Sequence, residues 1–149
     1  MRCVRGLSLT LLILAPVAGR SSDFTDDALQ TLLRQGGTGV IYAASEHMPL
    51  SIRGLKDIEA AVRALKLDLQ VVIDPDSDFD RITTEAAAAG IDASHCGRLA
   101  SRELMRRNLT IHYPSILIYR RGAIVGQLLP GYLSTADYEK YIQQVLAIQ

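Results

Sequence analysis

Thiols are scarce in this chain: 149 residues contain two cysteines, Cys3 and Cys96, with no tryptophan and two phenylalanines. Cys3 sits in an N-terminal stretch shaped like a removable leader, so the mature domain is expected to hold Cys96 alone. A single thiol excludes an internal disulfide and any exchange chemistry that needs an attacking and a resolving cysteine in one chain. Cys96 is therefore expected to be buried, free or paired between chains. A charge excess is missing too, since 16 Lys and Arg balance 16 Asp and Glu, and no footprint for nucleic acid results. No apolar run is long enough for a membrane-spanning helix. What remains is an apolar-rich chain, 48% by count, large enough to build a real core.

The leader has three parts. Arg2 and Arg5 open it, residues 6–14 are apolar without an acid, and small residues at 15–19 offer a cleavage site. That is the layout of a secretory signal over 1–19, with an uncleaved anchor as the alternative. No cysteine directly follows the small residues, so lipid attachment has no acceptor there. Cleavage near Ala18 removes Arg2 and Arg5 and leaves 14 basic against 16 acidic residues. The expected location is outside the cytoplasm, periplasmic or secreted.

Periodicity supplies the elements. Residues 24–35 read as a short helix with Ala28, Leu29, Leu32 and Leu33 inward, ended by Gly36 and Gly37. An N-terminal helical segment over 20–36 thus precedes a domain over 37–149. The continuous apolar run 40–44 reads as a strand covered on both faces. Ile52, Leu55, Ile58, Val62 and Leu65 mark one face of a helix. Residues 69–73 are the next strand, closed by Asp74-Pro75. Residues 79–89 read as a helix stopped by Gly90, and a further helix is expected around 99–107. Residues 115–119 and 123–128 form a hairpin through Arg120-Arg121-Gly122. Ser134 to Asp137 is a capping box, with Tyr138, Tyr141, Ile142, Val145 and Leu146 lining the last helix. Together these give an α/β fold: a mixed sheet of about four strands with helices on both faces.

A proline entering an apolar strand at Pro114, a hairpin turn at Gly122 and a glycine at Gly131 before the final helix complete a distinctive carboxyl third. Element for element, residues 104–146 resemble the carboxyl half of a thioredoxin, and the likeness extends more loosely back to Gly37. The resemblance implies a three-layer thioredoxin-like fold. It also implies a catalytic cysteine pair opening the helix after the strand at 40–44. Aligned on that strand, Met48 and Ser51 fall on the two cysteine positions with Pro49 between them, and a shift of one residue puts His47 at the first. No register supplies a thiol, so dithiol–disulfide oxidoreductase activity is not expected; a fold is often kept while its chemistry is lost or exchanged. The family further implies a cis proline at Pro114 with Tyr113 before it. In relatives the backbone beside that proline pairs with extended segments of a partner, which needs backbone groups and no cysteine. The linking stretch 79–107 is longer than in a minimal thioredoxin, which points to a secreted thioredoxin-like branch.

The leading expectation is an exported, redox-inactive binding or accessory module with a protein or peptide partner at the Tyr113–Pro114 loop and no cofactor. Two alternatives stand beside it. His47, Met48 and His112 offer imidazole and thioether donors that suit copper, although they lack a fixed ligand spacing. Cys96, flanked by His95 and Arg98, is a candidate single-thiol redox centre if those neighbours favour the thiolate. The acidic run Asp74, Asp76, Asp78 and Asp80 imitates a calcium loop but puts Phe79 where the sharp turn requires glycine. Asn108-Leu109-Thr110 matches a glycosylation acceptor that matters only in a eukaryotic secretory route.

Overall fold

A computed structural model describes residues 22–148; the expected leader lies outside them. Along the chain run β1 (Asp23–Phe24), α1 (Asp26–Arg34), β2 (Thr38–Ala44), α2 (Pro49–Leu65), β3 (Asp68–Ile73) and α3 (Phe79–Ala88). A 3-10 turn (Ala93–His95), β4 (Cys96–Leu99), α4 (Arg102–Arg106), β5 (Ser115–Arg120), β6 (Ala123–Pro130) and α5 (Thr135–Ala147) follow. The strands form one sheet in the order β1-β4-β3-β2-β5-β6. The first four are mutually parallel, and β5 and β6 join antiparallel.

The sheet therefore has six strands rather than about four. The two unforeseen ones are short. Phe24, read as the start of a helix, belongs to β1, and Leu99, likewise read as helical, ends β4. β4 pairs along β3, from Val71 beside Cys96 to Ile73 beside Arg98, and β1 pairs on β4, Asp23 beside Arg98 and Phe24 beside Leu99. Segments of two to four residues carry no measurable period, so only the neighbouring backbone reveals them.

Side-chain alternation splits the core into two layers. Val40, Tyr42, Val71 and Ile73 face α2, α3 and α5, where Leu55, Ile58, Ile82, Tyr138 and Ile142 are buried. Ile41, Ala43, Val72 and Leu117 face the other way, against Leu29 and Leu33 of α1 and Leu104 of α4. Each fully buried Leu or Ile stabilises by roughly 1.5–3 kcal/mol relative to exposure. β2 is thus covered on both faces, as its unbroken apolar run requires.

Four of the five α-helices start on a side-chain cap. Thr25, Asp78, Ser101 and Ser134 each accept a backbone amide of the first turn. Asp26 also ties α1 to α4, accepting from the Ser101 hydroxyl at 2.6 Å and the Glu103 amide at 3.0 Å. These bonds hold its carboxyl below the usual range. The exception is α2, where Met48 stands at the N-cap without a side-chain bond and Pro49 opens the helix.

Candidate functional site

Three connections meet at one pole of the sheet. β2 and β3 both end there, leading into the 45–48 loop and the 74–78 loop. β5 begins there, with Ser115 paired to Ala43, and the Tyr113–Pro114 peptide bond before it is cis. The carboxyl ends of parallel strands are where open α/β sheets place ligands.

Ser45, the first polar residue after the apolar run, is buried and organises this pole. Its amide donates to the Ser51 hydroxyl at 2.8 Å, and its own hydroxyl donates to Asp74 Oδ2 at 2.8 Å. The His47 amide donates to the Ser45 hydroxyl at 3.3 Å, and the Ser77 hydroxyl lies at 3.3 Å and accepts the Glu46 amide at 3.0 Å. Glu46 then accepts the Asp78 amide at 3.0 Å and pairs with Arg81 at 3.3 Å. From below, the buried Tyr42 hydroxyl donates to the Ser51 carbonyl at 2.7 Å. The loop that opens α2 is thus fastened on two sides, to the helix it precedes and to the loop after β3.

Each candidate residue takes a distinct place. Met48 is at the α2 N-cap and exposed, while Ser51 lies three residues on, in the first turn, and fully buried. His47 is exposed, with Nε2 at 3.4 Å from the Asp76 carbonyl oxygen. His112 is exposed in the loop before Pro114, which is itself buried. Tyr113 is half-buried; burial first, then Asp74 and Asp76, push its hydroxyl above its ordinary value. His95 and Cys96 do not join the group. They lie at the start of β4, where His95 Nδ1 meets the Leu69 carbonyl at 2.8 Å. Leu69 is five residues before the Asp74 loop, about 16 Å along an extended strand. Among the described residues no three His, Cys, Asp or Glu side chains are grouped to hold a metal ion.

Cys96 is free and 2% exposed, as one of its sequence readings expected, and its surroundings do not favour the thiolate that the single-thiol alternative needs. Burial, with Asp92 second, pushes its thiol up to about 11 from an ordinary 9.0. The flanking Arg98 guanidinium does not offset this, since it donates to the Pro75 carbonyl at 2.6 Å and lies over the Phe79 ring. The acidic run at 74–80 is likewise structural, with Asp74 bonded to Ser45 and Asp78 capping α3.

Sequence reasoning read Asp74 only as a strand end and part of an acidic run, and it missed Ser45, Ser77, Glu46 and Arg81. Their partners are 29 to 35 residues apart in the chain. The only local sign was a polar residue closing each apolar strand.

No protein-family model matches the sequence, and no curated protein is significantly similar to it. Solved structures do resemble it. A thiol:disulfide interchange protein of the thioredoxin family from Chlorobium tepidum superposes with a TM-score of 0.57 at 12% identity, over 78% of this chain and 84% of that one. A secreted disulfide oxidoreductase of Mycobacterium tuberculosis, homologous to DsbE of E. coli, gives 0.53 at 12% identity, over 74% and 84%. Plasmodium falciparum thioredoxin gives 0.51 at 10% identity, over 84% of this chain and 98% of its own. At such identities the likeness speaks to architecture alone, and that architecture is the thioredoxin-like fold.

Proposed function

We propose that this is an exported thioredoxin-fold protein without dithiol activity, which docks an extended segment of a protein partner at the pole formed by α2 and the Tyr113–Pro114 loop. The observation that carries the reading is a set of exposed apolar side chains there. Met48, Leu50 and Ile111 are 45%, 49% and 61% exposed, and among the described residues the other exposed large apolar side chains are Met105 and Ile148. Exposed apolar side chains at the start of α2 and in the loop before Pro114 offer apolar contact to such a segment. Among the described residues, neither the N–H nor the C=O of Tyr113 forms a backbone hydrogen bond, which leaves both for an incoming strand. The leader-like residues 1–19 support export, and the absence of a thiol at Met48 and Ser51 supports redox inactivity.

The test has two arms. Purified protein is expected to reduce insulin disulfides no faster than buffer, and turnover that survives Cys96→Ser overturns the redox half. Apolar peptides selected for binding are expected to shift the amide resonances of Leu50, Ile111 and Tyr113. Those shifts should vanish in a Leu50→Lys, Ile111→Lys double variant; peptides that bind equally well after both changes overturn the docking half.

A further inference from the structure

At the opposite end of the sheet a cleft of about 510 Å3 opens between α1 and the starts of β3 and β4. This volume falls in the range of small-molecule sites, roughly 300–1,000 Å3. Phe24, Leu32 and Leu69 give it apolar walls, Asp23 and Asp68 give it carboxylates, and no lysine or arginine lines it. Tyr119 of β5 forms part of the wall. That side chain is 1% exposed, and among the described residues its hydroxyl has no hydrogen-bond partner.

A buried hydroxyl left without a partner is costly, and native proteins rarely keep one. The surroundings show what would satisfy it. Gly39 makes room for the hydroxyl, since a Cβ there would collide with both the Tyr119 oxygen and the Asp68 carbonyl oxygen. Burial, with Asp68 second, holds the Tyr119 hydroxyl at about 12, so it is neutral near pH 7 and able to accept. Carboxylate, carbonyl and phenol oxygens are all acceptors, and an ammonium group carries only donors. An anion would meet the Asp23 and Asp68 carboxylates, while the nearest imidazole, His95, has Nδ1 on the Leu69 carbonyl and the Gln70 amide donates to the His95 carbonyl.

We propose that this cleft binds a small organic ammonium ion with an apolar body, the ammonium held by Asp68 and the Tyr119 oxygen and the body lying against Phe24, Leu32 and Leu69. This site is separate from the α2 pole and independent of the docking function assigned there.

Titration with phenethylammonium chloride, compared with 2-phenylethanol and phenylacetate, tests the assignment by nitrogen–proton correlation spectra. The amine should shift the amides of Thr31, Asp68 and Gln70 saturably, the alcohol more weakly, and the acid not at all. Asp68→Asn, at an exposed position, should weaken the amine about tenfold and leave the alcohol unchanged, the share expected of one charged hydrogen bond. Tyr119→Phe should weaken the amine while the melting temperature holds or rises, because the orphan hydroxyl is gone. Equal affinities for amine and alcohol, amine binding indifferent to Asp68→Asn, or shifts away from the cleft would each overturn the proposal.

Discussion

The Ser51 hydroxyl accepts the amide of Ser45 at 2.8 Å, and both residues are buried. This single bond joins the end of β2 to the first turn of α2 across the 45–48 loop. Ser51 also presents its carbonyl to the Tyr42 hydroxyl at 2.7 Å. The position that the thioredoxin resemblance assigns to a second cysteine is therefore occupied by a hydroxyl that serves as a structural acceptor.

Replacing Ser51 with Ala should destabilise the protein by about 1–3 kcal/mol, because it strands a buried amide. The expected readout is a melting temperature lowered by several degrees with the helical signal unchanged. Ser51→Thr keeps the acceptor and should recover part of the loss unless the extra methyl is crowded. An unaltered melting temperature in Ser51→Ala would remove the structural role given to this bond.

Installing Met48→Cys with Ser51→Cys should create a pair that oxidises to a disulfide and gives measurable insulin reduction. Position 48 is the N-cap of α2, where the helix dipole favours a thiolate. The cost is a weaker acceptor for the Ser45 amide, so the double variant should melt below the parent. Thiol titration before and after mild oxidation is the check; two thiols that stay free under oxidant contradict the placement of these residues.

Cys96 should resist alkylation at neutral pH in the folded protein and react fast once unfolded, since burial disfavours its thiolate. A pH dependence follows. The folded thiol sits at about 11 against an ordinary 9.0, so the folded state binds this proton more tightly. Its contribution is fully present below pH 9 and fades as pH rises toward 11. Between pH 9 and 10 the tyrosines, ordinarily near 10, titrate alike in parent and variant, so the difference between them isolates the thiol, and Cys96→Ala should flatten the fall in stability. Denaturant midpoints measured across that interval decide it; parallel curves for parent and variant contradict the assignment.

Much of the architecture was legible because it is local. The apolar run 40–44 could only be a doubly covered strand, and the spacing of Leu55, Ile58 and Val62 could only be a helix face; both are buried as read. The alternation that splits β2 between two cores follows from the same period of two. Cys96 shows where local reading fails. His95 and Arg98 flank it in sequence, yet one meets the Leu69 carbonyl and the other stacks on Phe79, so burial decides the state of the thiol.

By itself the sequence determined the covalent inventory: one cysteine beyond the leader-like segment, no thiol at Met48 or Ser51, and the periodic helices and strands that build a thioredoxin-like sheet. Tertiary structure alone decided the rest. It added β1 and β4, because two- and four-residue strands exist only through the backbone beside them. It tied Ser45 to Asp74 and Ser77, left Met48, Leu50 and Ile111 exposed, and set the Tyr119 hydroxyl beside Asp68 and Gly39. Each of these is a contact between segments far apart in the chain. Composition and period describe a segment and its own faces; which foreign segment meets each face is settled only when the whole core packs.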